Sequence, residues 1–151
     1  MKTCSFSGHA NIFNKAELKI RLKNEIINLI EKENVTTFYS GGKGDFDWLC
    51  ADTLKEIKKD YPFIKSYLVR AYMPTRKDSY EEDLYKQIFD STIYPEIENI
   101  PRRLAILKRN EWMIDNSNFL IAYVKYDGGA LKTLKYGERR NIEIINIAEV
   151  D

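Results

Sequence analysis

Phe119-Leu120-Ile121-Ala122-Tyr123-Val124, followed by Lys125-Tyr126-Asp127-Gly128-Gly129 and a helix-like segment containing Thr133, decides how this chain is read. The apolar run has the length and composition of a buried strand. Asp127-Gly128-Gly129 then reads as a turn that opens a helix. Such a turn offers backbone N–H groups and the positive end of a helix dipole to an anion, usually a phosphate. The same grammar returns at Ser7-Gly8-His9 and at Ser40-Gly41-Gly42-Lys43-Gly44. Three strand-to-glycine turns suggest one composite ligand site.

Working outward, Thr3–Ser7 reads as a first strand ending at Gly8. Asn14 is placed to cap a helix in which Leu18, Leu22, Ile26, Leu29 and Ile30 recur near helical spacing and Asn34 closes the run. Val35–Tyr39, β-branched and aromatic, reads as a second strand. Asp45 is expected to cap the next helix, with Trp48, Leu49, Ala51, Leu54 and Ile57 inward, and Tyr61-Pro62 ends it. Ile64–Ala71 is a third strand and Met73–Lys77 a loop. Ser79 with Glu82 forms a capping box for a helix to Phe89. Asp90–Tyr94 is a minor strand, Arg102–Asn116 a helix, Ala130–Arg140 a helix and Ile142–Ile147 the last strand. Strands alternating with helix-length connections predict an α/β, Rossmann-like doubly wound, mostly parallel sheet with helices on both faces, in one domain over 1–151. Ligands of such sheets sit at the strand carboxyl ends, where all three glycine turns fall.

The bulk numbers narrow the function. The chain has 151 residues, 44% of them hydrophobic, enough for a real core. Its 24 lysines and arginines nearly balance 23 acidic residues, which argues against nucleic acid as a partner bound by bulk charge, while leaving room for a local basic face. Cys4, Cys50 and the single histidine, His9, lack metal-ligand spacing, so neither a metal nor another cofactor is expected, and the cysteines read as buried thiols. With no leader-like segment and no apolar run of membrane length, the expected location is the cytoplasm, with no membrane partner.

Each turn carries candidate ligand contacts. Ser7 can donate a hydroxyl, Gly8 permits close approach, and His9 can hydrogen-bond or titrate. Ser40, Gly41, Gly42, Lys43 and Gly44 can crowd a phosphate with amides and one cation. This is neither a P-loop nor a dinucleotide fingerprint, because GxxxxGK[ST] and GxGxxG are both absent. Asp45 and Asp47 are candidates for ribose hydroxyls. Arg109 can clamp a phosphate and Asn110 can read an amide or hydroxyl; with Arg102, Arg103 and Lys108 they make a basic patch. Trp112 and Met113 read as core. Asp127, Gly128, Gly129 and Thr133 complete the set, with Tyr39, Tyr72 and Tyr123 near strand ends as possible stacking partners for a base.

These residues also resemble a known group. Cys4-Ser5-Phe6-Ser7-Gly8-His9 is similar to the opening "CFTGHR" of the YpsA-like proteins of the SLOG superfamily, related to the DprA/SMF and LOG Rossmann-like proteins. The similarity continues through Tyr39–Asp47, Tyr61–Lys65, Arg109–Asp115 (near the family's "RNxxMVD"), and Asp127-Gly128-Gly129 to Gly137. The resemblance implies a Rossmann-like domain for a nucleotide-derived ligand, and self-association as a dimer or higher oligomer. LOG enzymes cleave an N-glycosidic bond with a "PGGxGTxxE" motif. Here no proline precedes Gly128, no glutamate lies one turn after Thr133, and Ala10 stands where the family has arginine.

The leading expectation is therefore a non-catalytic site, for sensing or sequestering a nucleotide-derived small molecule. An N-glycoside hydrolase or deoxyribosyltransferase-like enzyme is the second, with Asp45, Asp47, Asp115 or Glu138 as the carboxylate. A single-stranded DNA or protein interaction module is the third.

Overall fold

A computed structural model describes residues 1–72, 79–97 and 99–148, apart from the side chains of Ser79 and Arg103. The loop expected at 73–77, the Ser79 side of the capping box and the Arg103 part of the basic patch lie outside the described residues. Elements follow one another as β1 (Lys2–Gly8), α1 (Lys15–Glu33), β2 (Val35–Ser40), α2 (Asp45–Ile57), β3 (Lys65–Val69), α3 (Ser79–Ile88), β4 (Ser91–Ile93), α4 (Arg102–Asp115), β5 (Phe119–Tyr123), α5 (Gly129–Arg139) and β6 (Glu143–Asn146).

All described strand pairs are parallel, in the order β4-β3-β2-β1-β5-β6. The fold is thus the expected Rossmann-like α/β sheet. The chain steps from β1 outward to β4, then returns to place β5 on the other side of β1. That reversal puts the topological switch point between β1 and β5, where Ser7-Gly8 and the Gly128-Gly129 turn emerge side by side.

β5 is the most enclosed strand, buried at every position. Sheet strands covered on both faces need no polar alternation, which is why the sequence reads as a continuous apolar run. On one side, Leu18, Leu22, Ile26 and Leu29 of α1 and Phe46, Cys50, Leu54 and Ile57 of α2 pack on Phe6, Phe38 and Ile121. On the other, Leu120 and Ala122 meet Ile114 and the half-buried Leu131 and Leu134 of α5. Cys4 and Cys50 are buried free thiols, and burial pushes both well above the ordinary thiol range. Asn34 closes α1 in the left-handed region (φ 60°), as its residue type favours. Asn14 holds the N-cap position of α1 without a side-chain capping bond.

Two expectations about the core are corrected. Trp48 and Trp112 are only half-buried, Trp48 stacked on Tyr85 and Trp112 tilted against Tyr39. Asp45 is not the cap of α2. Gly44 holds that position, and Asp45 is the first helical residue.

Candidate functional site

The β1 turn organises the other two turns. A Cβ on Gly8 would fall 2.4 Å from the Phe46 ring, so glycine lets β1 run directly against α2. His9 follows, buried, with Nε2 accepting the Lys125 N–H at 2.8 Å. Its ring lies parallel to Tyr126, 3.8 Å between centroids. Burial, then the charge of Lys125, lowers the His9 pKa. With Nε2 accepting, the imidazole is neutral and carries its proton on Nδ1. Its carbonyl and that of Ala10 accept the N–H groups of Phe46 (3.3 Å) and Asp45 (2.8 Å), the first donors of α2. One side chain thus ties down the β5 turn while the adjoining backbone caps α2.

That capping changes the role of the β2 turn. Gly42 N–H donates to Ser40 Oγ (3.3 Å) and Lys43 N–H to Asp47 Oδ2 (3.0 Å). The amides expected to crowd a phosphate at Gly42 and Lys43 are already engaged. Gly42 (φ 65°) and Gly44 (φ 90°) serve the turn itself. Gly41 makes room for Arg109: a Cβ there would lie 2.8 Å from the guanidinium carbon. Ser40 is buried as the acceptor of the turn. Asp45 faces away, with its carboxylate accepting the Ile12 N–H at 3.0 Å and pairing with Lys15 at 3.6 Å.

Arg109 is 4% exposed, although it sits on α4 among solvated charges in the sequence. Nη1 donates to the carbonyls of Gly41 (3.0 Å) and Val69 (2.9 Å), and Nε to Asn110 Oδ1 (2.9 Å). Nη2 makes no hydrogen bond among the described residues. No buried side-chain atom among them lacks a partner, so Nη2 reaches the cavities that Arg109 lines. Asp47 is 8% exposed. Burial raises its carboxyl pKa to about 6, against the Lys43 hydrogen bond and the charge of Arg109.

α5 begins differently. Gly128 caps it at φ 155°, ψ −167°, with no side-chain capping bond, in backbone territory open almost solely to glycine. A Cβ at Gly128 or Gly129 would meet nothing within 4 Å. The first-turn N–H groups have no intrahelical acceptor, the arrangement that receives an anion.

Between β1 and β5 these pieces enclose a crevice of about 390 Å³. It brings together the candidates Ser7, Gly8, His9, Lys43, Asp47, Arg109, Asn110, Asp127, Gly128 and Gly129. Ser40, Gly41, Gly42, Gly44 and Asp45 are outside it. Thr133 is excluded too: it is buried, and its hydroxyl donates to the Gly129 carbonyl (3.1 Å) one turn back. Asp115 faces Tyr136 (3.0 Å) and Arg140 (3.3 Å). Glu138 lies nine positions along α5 from Gly129, about 13 Å at the helical rise. The carboxylates expected of a hydrolase therefore do not converge; among the described residues, Asp47 and Asp127 are the carboxylates that line the crevice.

A second cavity, about 610 Å³, adjoins the first and shares Lys43, Ile106 and Arg109 with it. It adds Arg70, Arg102, Trp48, Tyr72, Tyr80 and Tyr85. The Arg102 guanidinium lies 3.9 Å from the centroid of Tyr72, and Arg70 lies 5.2 Å from that of Tyr85 while pairing with Glu82. The hydrogen bond from Arg102 holds the Tyr72 hydroxyl below the usual phenol range.

Sequence reasoning missed several contributors. Tyr126, 58% exposed and stacked on His9, follows the apolar run and carried no periodic signal. Asn146 holds the end of β5 by bonding both the N–H and the carbonyl of Val124 (3.1 Å each). Arg70 closes a strand and reads there as an ordinary edge charge. Among the described residues no His, Cys, Asp or Glu cluster is placed to hold a metal, and no helix is long and apolar enough to cross a membrane.

No protein-family model matches the sequence, and no curated protein is similar to it in sequence. The fold is similar to a solved structure of DNA processing protein A from Helicobacter pylori, a protein with a single-stranded DNA binding mode of its own. The TM-score is 0.68 at 12% identity, over 95% of this chain and 63% of that one. This chain thus spans less than two thirds of that structure. The likeness places the fold beside a DprA/SMF protein. It also overturns the expectation that argued against nucleic acid: net charge says little about a local cluster such as Lys43, Arg70, Arg102 and Arg109.

Proposed function

We propose that this chain binds single-stranded DNA along the carboxyl edge of its sheet. Phosphate is held where the first turn of α5, Arg109 and Lys43 meet, and bases rest on aromatic faces to either side. One observation carries the reading. In a chain of net charge +1, Lys43, Arg70, Arg102 and Arg109 all line two adjoining cavities that also present Tyr72, Tyr80 and Tyr126. Cations that track a backbone, set between aromatic platforms, are what a single strand requires. The likeness to DNA processing protein A supports the same class of ligand.

Fluorescence anisotropy with 5′-labelled oligo-dT tests it. Wild-type protein is expected to bind at low salt, and Lys43→Glu to weaken binding by about tenfold, the cost of reversing one charge beside a phosphate. No change in anisotropy up to about 100 µM protein, the weak end of the range even for non-specific binding at physiological salt, contradicts the reading.

The crevice between β1 and β5 favours a second reading, a nucleotide-derived small molecule of the kind that SLOG proteins related to YpsA are expected to take. Its volume of about 390 Å³ suits a single nucleotide, and Gly128 and Gly129 leave open backbone there. A rise in melting temperature with nucleotides or cyclic dinucleotides, and none with oligo-dT, selects it.

A further inference from the structure

The crevice contains one group that a site made only for phosphate does not need. Asp47 is 8% exposed and lies on the same crevice as Gly128, Gly129 and Arg109. A carboxylate there repels a phosphate. Its two oxygens are not equivalent. Oδ2 accepts the Lys43 N–H at 3.0 Å. Oδ1 makes no hydrogen bond among the described residues, yet no buried side-chain atom among them lacks a partner, so Oδ1 faces the crevice. Asp45, two residues earlier, has its carboxylate engaged by Ile12 and Lys15 outside the crevice.

An ionised carboxylate only accepts hydrogen bonds, so the group that meets Oδ1 is a donor. The crevice, about 390 Å³, suits one nucleotide, and in the reading above its phosphate sits at the amino end of α5. A donor close to that phosphate is a sugar hydroxyl, because the base N–H groups lie farther off, beyond the sugar. Internal deoxyribose has no hydroxyl to give. A ribose 2′-hydroxyl does, and so does the 3′-hydroxyl at a strand end.

We infer that the crevice takes a nucleotide whose sugar bears a free hydroxyl, donated to Asp47 Oδ1, while the first turn of α5 and Arg109 hold its phosphate. The inference rests on the nucleic-acid reading and narrows it from any stretch of strand to a hydroxyl-bearing position. Asp47 then sets specificity, because a buried acceptor left unmet penalises the ligand that lacks the donor.

Anisotropy titrations with 5′-labelled oligo-uridines of about 12 nucleotides test it. The probes are deoxyribose strands ending in a 3′-hydroxyl or in a dideoxy sugar, and ribose strands with the same two ends. Wild-type protein is expected to bind the all-deoxy, dideoxy-ended strand about tenfold more weakly than the best hydroxyl-bearing strand, the fold-change that one charge-assisted hydrogen bond carries. Asp47→Asn, whose amide can donate as well as accept, is expected to shrink that ratio toward unity. Dideoxy-ended ribose strands that bind as well as free-ended ones assign the 2′-hydroxyl; preference for any free 3′ end assigns the terminus. Equal binding of all four strands by wild-type protein overturns the inference and leaves strand binding standing. Binding of none overturns both. The wild-type ratios decide the matter even where Asp47→Asn fails to fold.

Discussion

Arg109 shows how a residue can serve fold and site together. Its Nη1 joins the end of β3 to the β2 turn through Val69 and Gly41, while Nη2 reaches the cavities that Arg109 lines. Arg109→Leu leaves those carbonyls unpaired and is expected to lower stability by about 2–3 kcal/mol, measured by urea unfolding. The glycines separate by the same logic. Gly41→Ala drives a methyl to 2.8 Å from the guanidinium carbon and Gly8→Ala to 2.4 Å from Phe46, so both are expected to destabilise. Gly129→Ala meets nothing within 4 Å and sits in a helix, so stability holds or rises by a few tenths of a kcal/mol. If the space is the ligand's, oligonucleotide affinity falls all the same. Unchanged affinity in a folded Gly129→Ala protein places the ligand elsewhere.

Asp47 gives the residue scale a pH dependence. Its folded pKa of about 6 lies above the ordinary 3.8. A raised carboxyl favours the folded state below pH 3.8, and that advantage is lost as pH rises through 6. The groups facing Asp47 are Lys43, Arg109 and the Cys50 thiol. Asp47→Asn removes the titration. Relative to the variant, the wild type is expected to lose at most about 3 kcal/mol between pH 4 and pH 8, read from urea midpoints across that range. A pH-independent difference contradicts the assignment.

At the scale of elements, the periodicities of α1 and β5 were legible because burial dictates them directly. Leu18, Leu22, Ile26 and Leu29 face the sheet as their spacing requires, and every residue of β5 is enclosed. The amino ends of helices were less legible. Gly-rich turns before α2 and α5 look alike in sequence, yet the first is filled by the His9 and Ala10 carbonyls and the second is not. Nothing local to Ser40–Asp45 reveals this, because the capping carbonyls come from another strand's turn about 35 residues earlier in the chain. Thr133 differs for a local reason: its hydroxyl turns back into its own helix and so does not reach the crevice. The open end of α5 has a consequence of its own. Sulfate or phosphate is expected to protect wild-type protein against thermal unfolding more than Gly129→Asp, which sets a carboxylate where the anion sits.

For the whole molecule, the order β4-β3-β2-β1-β5-β6 makes the switch point, and the switch point makes the crevice. Composition could not show that four cations of a balanced chain meet at one place. Lys43, Arg70, Arg102 and Arg109 are spread over the sequence and converge only where β2 and β3 end beside the first half of α4. Strand binding through about three phosphates is expected to give a slope of about −2 in log affinity against log salt. A slope near zero contradicts an electrostatic groove. The most direct measurement is a 15N–1H correlation spectrum of the protein titrated with oligo-dT. The account predicts shifts concentrated at Gly8, Gly128, Gly129, Ala130 and the Arg109 side chain, at the carboxyl edge of the sheet. Shifts confined to the opposite edge, around Lys2, Val35 and Glu143, or no shifts at all, would contradict it.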